Sequence, residues 1–296
     1  MRFLLCALTI VSGSVFSFVT AAGAAEDFTT QCAQFSPPVQ GGYCIHKPMD
    51  SESSDVVYYF HGLGGNEKYW SQENYYPAQI REVWRHHHAA FPTVISVSFG
   101  PVWLLAQKNS SHVSGLFELF TQKVMPLLEN QIGGVKGRRL VVGESMGGFN
   151  TLQVAMKTHL FDKAAALCAP MSELSPFASQ ADVDAYVKAS AAYAYYLESQ
   201  PTLVAASVQK SIQLATTFYP KPSDWASADP LELATGFHSV SQFYLAIGFY
   251  DQYASYNANL KFAGILKENG VQIELRPQWG GHCAIDIPSL AQFLVR

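Results

Sequence analysis

The stretch Arg138–Asn150, RRLVVGESMGGFN, decides the fold. A β-branched run ends at Gly143, Ser145 follows, and a helical pattern (GGFNTLQVAMK, 147–157) begins at once. Strand, tight turn and helix in that order force the serine into a strained conformation that aims its hydroxyl away from the sheet. The flanking glycines are needed because side chains there would meet the strand or helix beside the turn. The first N–H groups of the following helix, with its dipole, favour negative charge developing beside the serine. Ser145 is therefore the candidate nucleophile.

Working outward, a second glycine-rich turn sits where the first predicts one. In YYFHGLGGN, His61-Gly62-Leu63-Gly64-Gly65 follows an early strand. A loop there turns a backbone N–H toward the serine, which makes the amides of Leu63 and Met146 the candidate oxyanion donors. The place of His61 within that loop favours a structural hydrogen-bonding role over that of base.

A serine at such a turn needs a base, and the chain order in this architecture is nucleophile, acid, histidine. The last of the nine histidines is His282, in PQWGGHCAID, where Gly280 and Gly281 let the loop approach the serine. The acid should leave a strand before it, and YLAIGFYD delivers Asp251. Asp229, before a proline, reads as a turn residue, and Asp286 as the N-cap of a last helix. Both remain rivals to Asp251.

Strand patterns at 55–62, 93–100, 138–145, 163–170, 243–251 and 271–278 alternate with helical ones near 78–89, 112–132, 147–159, 255–269 and 286–295. That alternation predicts an α/β fold, a mainly parallel sheet with helices on both faces. Residues 172–235 interrupt it with helices alone, punctuated by Pro201, Pro220, Pro222 and Pro230, and read as a helical cap inserted into one domain spanning 25–296. Its Tyr186, Tyr193, Tyr195, Tyr196, Phe218, Tyr219 and Trp225 are candidates for lining an acyl or aromatic pocket, and several must also pack the insertion onto the body.

Composition bounds the rest. The 296 residues are 49% hydrophobic and 14% charged, enough for a large core. A formal net charge of −4 without a Lys/Arg cluster argues against nucleic acid as a partner. Met1-Arg2, a short broken apolar stretch and Ala22-Gly23-Ala24 read as a signal peptide over 1–24. Its removal leaves no stable membrane anchor and takes the charge from −4 to −5. The mature protein is expected to be secreted or periplasmic. Cys32 and Cys44 flank a Pro- and Gly-rich loop that a disulfide would close, whereas Cys168 and Cys283 either pair or stay as thiols. Metal is not indicated: there is no C-x-x-C, and His86, His87 and His88, consecutive on a predicted helix, point in different directions.

From about Val56 to Arg296 the chain resembles the α/β-hydrolases, in particular the putative-esterase group that includes esterase D, feruloyl esterases and bacterial mycolyltransferases. The likeness rests on HGLGGNEKYW, GESMGGFNTLQVAMKTHLFDKAAALCAP and GGHCAID. It implies an α/β-hydrolase fold with Ser145, Asp251 and His282 as nucleophile, acid and base, acting without a cofactor on a small-molecule ester. The chain departs from the group in its helical insertion and in Glu144, where relatives often carry histidine; that carboxylate either assists at the site or is solvated. The expected activity is hydrolysis of carboxylic esters through an acyl-enzyme. Acyl transfer to an alcohol, and a non-catalytic binding module on the same fold, are the alternatives.

Overall fold

The computed structural model describes residues 27–107, 115–236 and 240–296; the signal peptide assigned to 1–24 lies outside the described residues. The strands are β1 (Phe28–Gln34), β2 (Gly42–Pro48), β3 (Val56–Phe60), β4 (Thr93–Ser98), β5 (Arg139–Glu144), β6 (Lys163–Leu167), β7 (Gln242–Gly248) and β8 (Gln272–Gln278). They form one eight-stranded sheet in the order β1-β2-β4-β3-β5-β6-β7-β8. Every pair from β4 to β8 is parallel, while β1 and β2 add an antiparallel edge.

The central strands are apolar on both faces because helices cover both. Val56, Tyr58 and Phe60 of β3 point into one core with Phe120, Phe149 and Phe243. Val57 and Tyr59, one residue out of phase, point into a second core with Trp70, Trp84 and Phe293. This is the two-residue period of a strand buried on both sides. The helix Tyr76–His86 is fastened to the last helix, Ile287–Val295, by Trp84 Nε1–H donating to the Ala291 carbonyl at 2.8 Å.

The β1–β2 hairpin is absent from the sequence reading, which treats Cys32–Cys44 as the ends of a loop. Cys32 and Cys44 are cross-strand partners and are disulfide-bonded. β1 leaves no mark in the sequence because six of its seven residues are exposed, so it carries no apolar alternation. The histidine run also differs from expectation. The helix ends at His86, His87 caps it, and His88 has a left-handed φ of 50°.

Between β6 and β7 the chain forms only helices among its described residues: Gln180–Ala189, Ala191–Tyr196, Leu203–Phe218, Pro222–Ala226 and Pro230–Leu233. The chain proceeds from β3 to β4 on one side and then returns to β5 on the other. The carboxyl ends of β3 and β5 therefore flank a topological switch point, where open α/β sheets form their ligand crevice.

Candidate active site

Register brings the functional loops together. Phe60 pairs with Gly143, so the turns that leave β3 and β5 emerge side by side. Gly248 pairs with Gln278, which does the same for the turns after β7 and β8.

At the turn after β5, Ser145 has φ 49° and ψ −116°, a conformation L-residues rarely adopt. Its N–H donates to the Leu167 carbonyl at 2.8 Å, and the helix Met146–Lys157 starts at the next residue. The glycines around it answer to space. A Cβ on Gly147 would stand 2.1 Å from the Phe60 carbonyl oxygen, and one on Gly143 would stand 2.3 Å from that of Gly147.

The Ser145 hydroxyl lies 2.8 Å from His282 Nε2, and His282 Nδ1 lies 2.8 Å from Asp251 Oδ2. The second carboxylate oxygen of Asp251 accepts the Tyr253 N–H at 2.9 Å, which fixes the carboxylate plane. Asp251 is 1% exposed. The His282 loop is held by its own N–H donating to Gln252 Oε1 at 3.0 Å and by the Tyr253 ring, whose centroid is 4.6 Å from the imidazole. The two rival carboxylates are occupied elsewhere. Asp229 accepts the Leu231 N–H, and Asp286 accepts both the N–H and the hydroxyl of Ser289.

Leu63 follows Gly62 in the turn after β3, and Met146 opens the helix after Ser145. Neither backbone N–H donates to another described residue. His61 stabilises that turn, with Nδ1 2.7 Å from the Gly62 carbonyl and Nε2 2.8 Å from the Ser98 hydroxyl. Nδ1 facing a carbonyl must carry the proton, so Nε2 accepts from Ser98. Burial depresses the His61 pKa and keeps the ring in this neutral form.

Glu144 is the functional candidate that sequence reasoning placed least well. It is 3% exposed, not solvated. Its Oε1 accepts the Gly62 N–H at 3.1 Å and the hydroxyl of Tyr75. Burial raises its pKa, opposed by those two hydrogen bonds and by His282. No local pattern signals this, because the partners lie 82 and 69 residues away in sequence.

A second disulfide, Cys168–Cys283, joins the end of β6 to the residue after His282. Both cysteines have positive φ, 44° and 60°.

A cavity of 560 Å³ opens at Ser145 and His282, with Tyr75, Tyr253, Ile285, Ile287 and Lys210 in its wall. Of the described residues between β6 and β7, Lys210 alone reaches this wall. Five of the aromatic residues expected to line a pocket pack elsewhere, while the Tyr196 hydroxyl lies against Gly281 in the His282 loop. Phe218, Tyr219 and Trp225 stack around Trp103 in the core, Tyr195 lies flat on Tyr250 at 4.1 Å, and Tyr186 donates to the Ala254 carbonyl. Among the described residues no helix is long and apolar enough to cross a membrane.

The family described as Putative esterase matches residues 42–203. No curated protein matches the chain in sequence. Among solved structures, a ferulic acid esterase is 18% identical with a TM-score of 0.61, over 91% of this chain and 97% of that one. An S-formylglutathione hydrolase from Agrobacterium tumefaciens is 14% identical at 0.61, over 92% and 94%. The fluorophosphonate-binding serine hydrolase FphF of Staphylococcus aureus is 16% identical at 0.57, over 91% and 98%. At these identities the likeness is one of fold, a mostly parallel α/β-hydrolase sheet.

Proposed function

The chain belongs to the esterase family matched over 42–203 and is a carboxylic ester hydrolase, and from that premise we propose that it cleaves esters through an acyl-enzyme on Ser145. In this reading His282 is the base, Asp251 orients it, and the Leu63 and Met146 amides form the oxyanion hole. Ser145 Oγ attacks the ester carbonyl carbon while His282 Nε2 takes the hydroxyl proton. The carbonyl electrons move to oxygen, and the resulting oxyanion is met by the two N–H groups. The C–O bond then breaks, His282 returns the proton to the departing alcohol, and the acyl group stays on Ser145. Water repeats the attack, giving its proton to His282, and the carboxylic acid leaves as Oγ regains a proton. Asp251 accepts Nδ1–H throughout and holds the imidazole in the tautomer these steps need.

What carries the reading is the unbroken line from Asp251 Oδ2 through His282 to Ser145 Oγ, both links 2.8 Å. A cavity of 560 Å³ is the size that holds a small-molecule ester. We further propose that the protein works outside the cytoplasm, supported by its two disulfides, which persist in oxidising compartments.

Steady-state hydrolysis of a short para-nitrophenyl ester tests the assignment. Ser145→Ala and His282→Ala should each lower kcat by about 10⁴-fold or more. Asp251→Asn should be severely impaired and Asp229→Asn should not. Normal turnover in Asp251→Asn together with loss in Asp229→Asn reverses the choice of acid.

A further inference from the structure

The wall of the site cavity holds one feature that acyl-enzyme chemistry leaves unused. Lys210 projects from the helix Leu203–Phe218 into the wall that also contains Ser145 and His282. It is the sole charged residue of that sixteen-residue helix, so it has none of the i,i+4 acidic partners that commonly occupy a helical lysine. It makes no ion pair or hydrogen bond with any described residue.

The other ionisable groups facing the cavity do not cancel this charge. The wall contains one carboxylate, Glu144, whose Oε1 is turned into its hydrogen bonds with Gly62 and Tyr75. Asp251 lies behind His282, its side chain fully covered and bonded to the imidazole. The helix Met146–Lys157 directs its positive end toward Ser145. In a chain of net charge −4, Lys210 is thus an ammonium in the cavity wall whose one neighbouring wall carboxylate is already engaged by other hydrogen-bond donors. Gln79 and Tyr253 in the same wall add polar groups beside the ammonium.

We propose that Lys210 forms an anion subsite, so that the preferred substrates are esters bearing a second, ionised group, a carboxylate or phosphate, held apart from the scissile bond. The proposal rests on Ser145 being the nucleophile of an esterase, as above. Lys210 acts by binding rather than in the bond-breaking steps. Its effect belongs in KM, and in kcat/KM for charged substrates only. The anion sits on either the acyl or the alcohol part, and the two sources are separable by substrate.

Four esters and five proteins test it: wild type, three Lys210 variants and Ser145→Ala as the control for Ser145-dependent turnover. Para-nitrophenyl hydrogen adipate is compared with para-nitrophenyl hexanoate, which places the charge on the acyl part. Para-acetoxybenzoate is compared with para-acetoxybenzamide, which places it on the leaving group. Wild type should favour the charged member of at least one pair. Lys210→Met should raise its KM by about two- to fivefold, the size expected of one solvent-exposed charge pair, and leave the neutral member unchanged. Lys210→Arg should retain the preference and Lys210→Glu should invert it; a merely structural role for Lys210 produces neither result. Equal effects on charged and neutral esters, or no preference in wild type, overturn the subsite while Ser145-dependent turnover of neutral esters leaves the esterase reading standing. Absence of Ser145-dependent turnover on all four esters overturns both.

Discussion

The buried Glu144 carboxylate accepts the backbone N–H of Gly62 at 3.1 Å, so the residue before Ser145 holds the loop that contains Leu63. His61 holds the Gly62 carbonyl of that turn while Glu144 holds its N–H, and the Tyr75 hydroxyl shares the same carboxylate oxygen. If the proposed oxyanion hole includes the Leu63 amide, Glu144→Ala should lower kcat for a neutral ester by about 10- to 100-fold with little change in KM, because losing one such donor costs about 100-fold or more. Glu144→Gln, whose amide oxygen still accepts from Gly62, should fall less. Equal losses in the two variants would remove the hydrogen bond from the explanation.

The same residue sets a pH dependence of stability. Burial raises the Glu144 pKa, so the folded state takes up its proton more readily than the unfolded chain. Stability from this group is then fully present below the ordinary carboxylate range and is lost as pH rises through the raised value. Urea denaturation of wild type and Glu144→Gln across pH should show wild type losing ground to the variant as pH climbs. A constant difference contradicts this.

Gly147→Ala should destabilise the fold by about 2 kcal/mol or more, since its Cβ would meet the Phe60 carbonyl oxygen at 2.1 Å and both backbones are fixed by the sheet and helix. The urea midpoint checks this, and a midpoint equal to wild type would mean that the turn is looser than these contacts allow.

The disulfides should separate stability from activity. Cys168–Cys283 spans 115 residues and Cys32–Cys44 spans 12, so in the chain-entropy model removing them costs about 4 to 5 and about 3 kcal/mol. Only the former adjoins His282. Cys32→Ser/Cys44→Ser should keep kcat/KM in the folded protein, and Cys168→Ser/Cys283→Ser should lower it. Equal activity in both folded double variants would show that the His282 loop does not depend on its disulfide.

How far the sequence reveals this molecule depends on where each signal lies. β3, β5, β6 and β7 are legible because burial on both faces makes them continuous apolar runs, and the turns after β3 and β5 announce themselves through glycines forced by close approach. β1 is illegible because an exposed edge strand needs no apolar pattern. The choice among Asp251, Asp229 and Asp286 left by the sequence turns on a contact 31 residues apart, which no local pattern encodes. The insertion's aromatics mislead for a related reason: a ring that fills a core and a ring that lines a pocket look alike in sequence. Trp225→Ala should thus cost about 3 to 5 kcal/mol of stability without reordering ester preferences.

The central claim is the covalent intermediate. Intact-protein and peptide mass spectrometry after a fluorophosphonate, or after rapid quenching with an aryl ester, reads it directly. The account predicts one adduct, on the peptide containing Ser145, and none in a folded Ser145→Ala protein. An adduct that persists in that variant, or that maps to another residue in wild type, would contradict it.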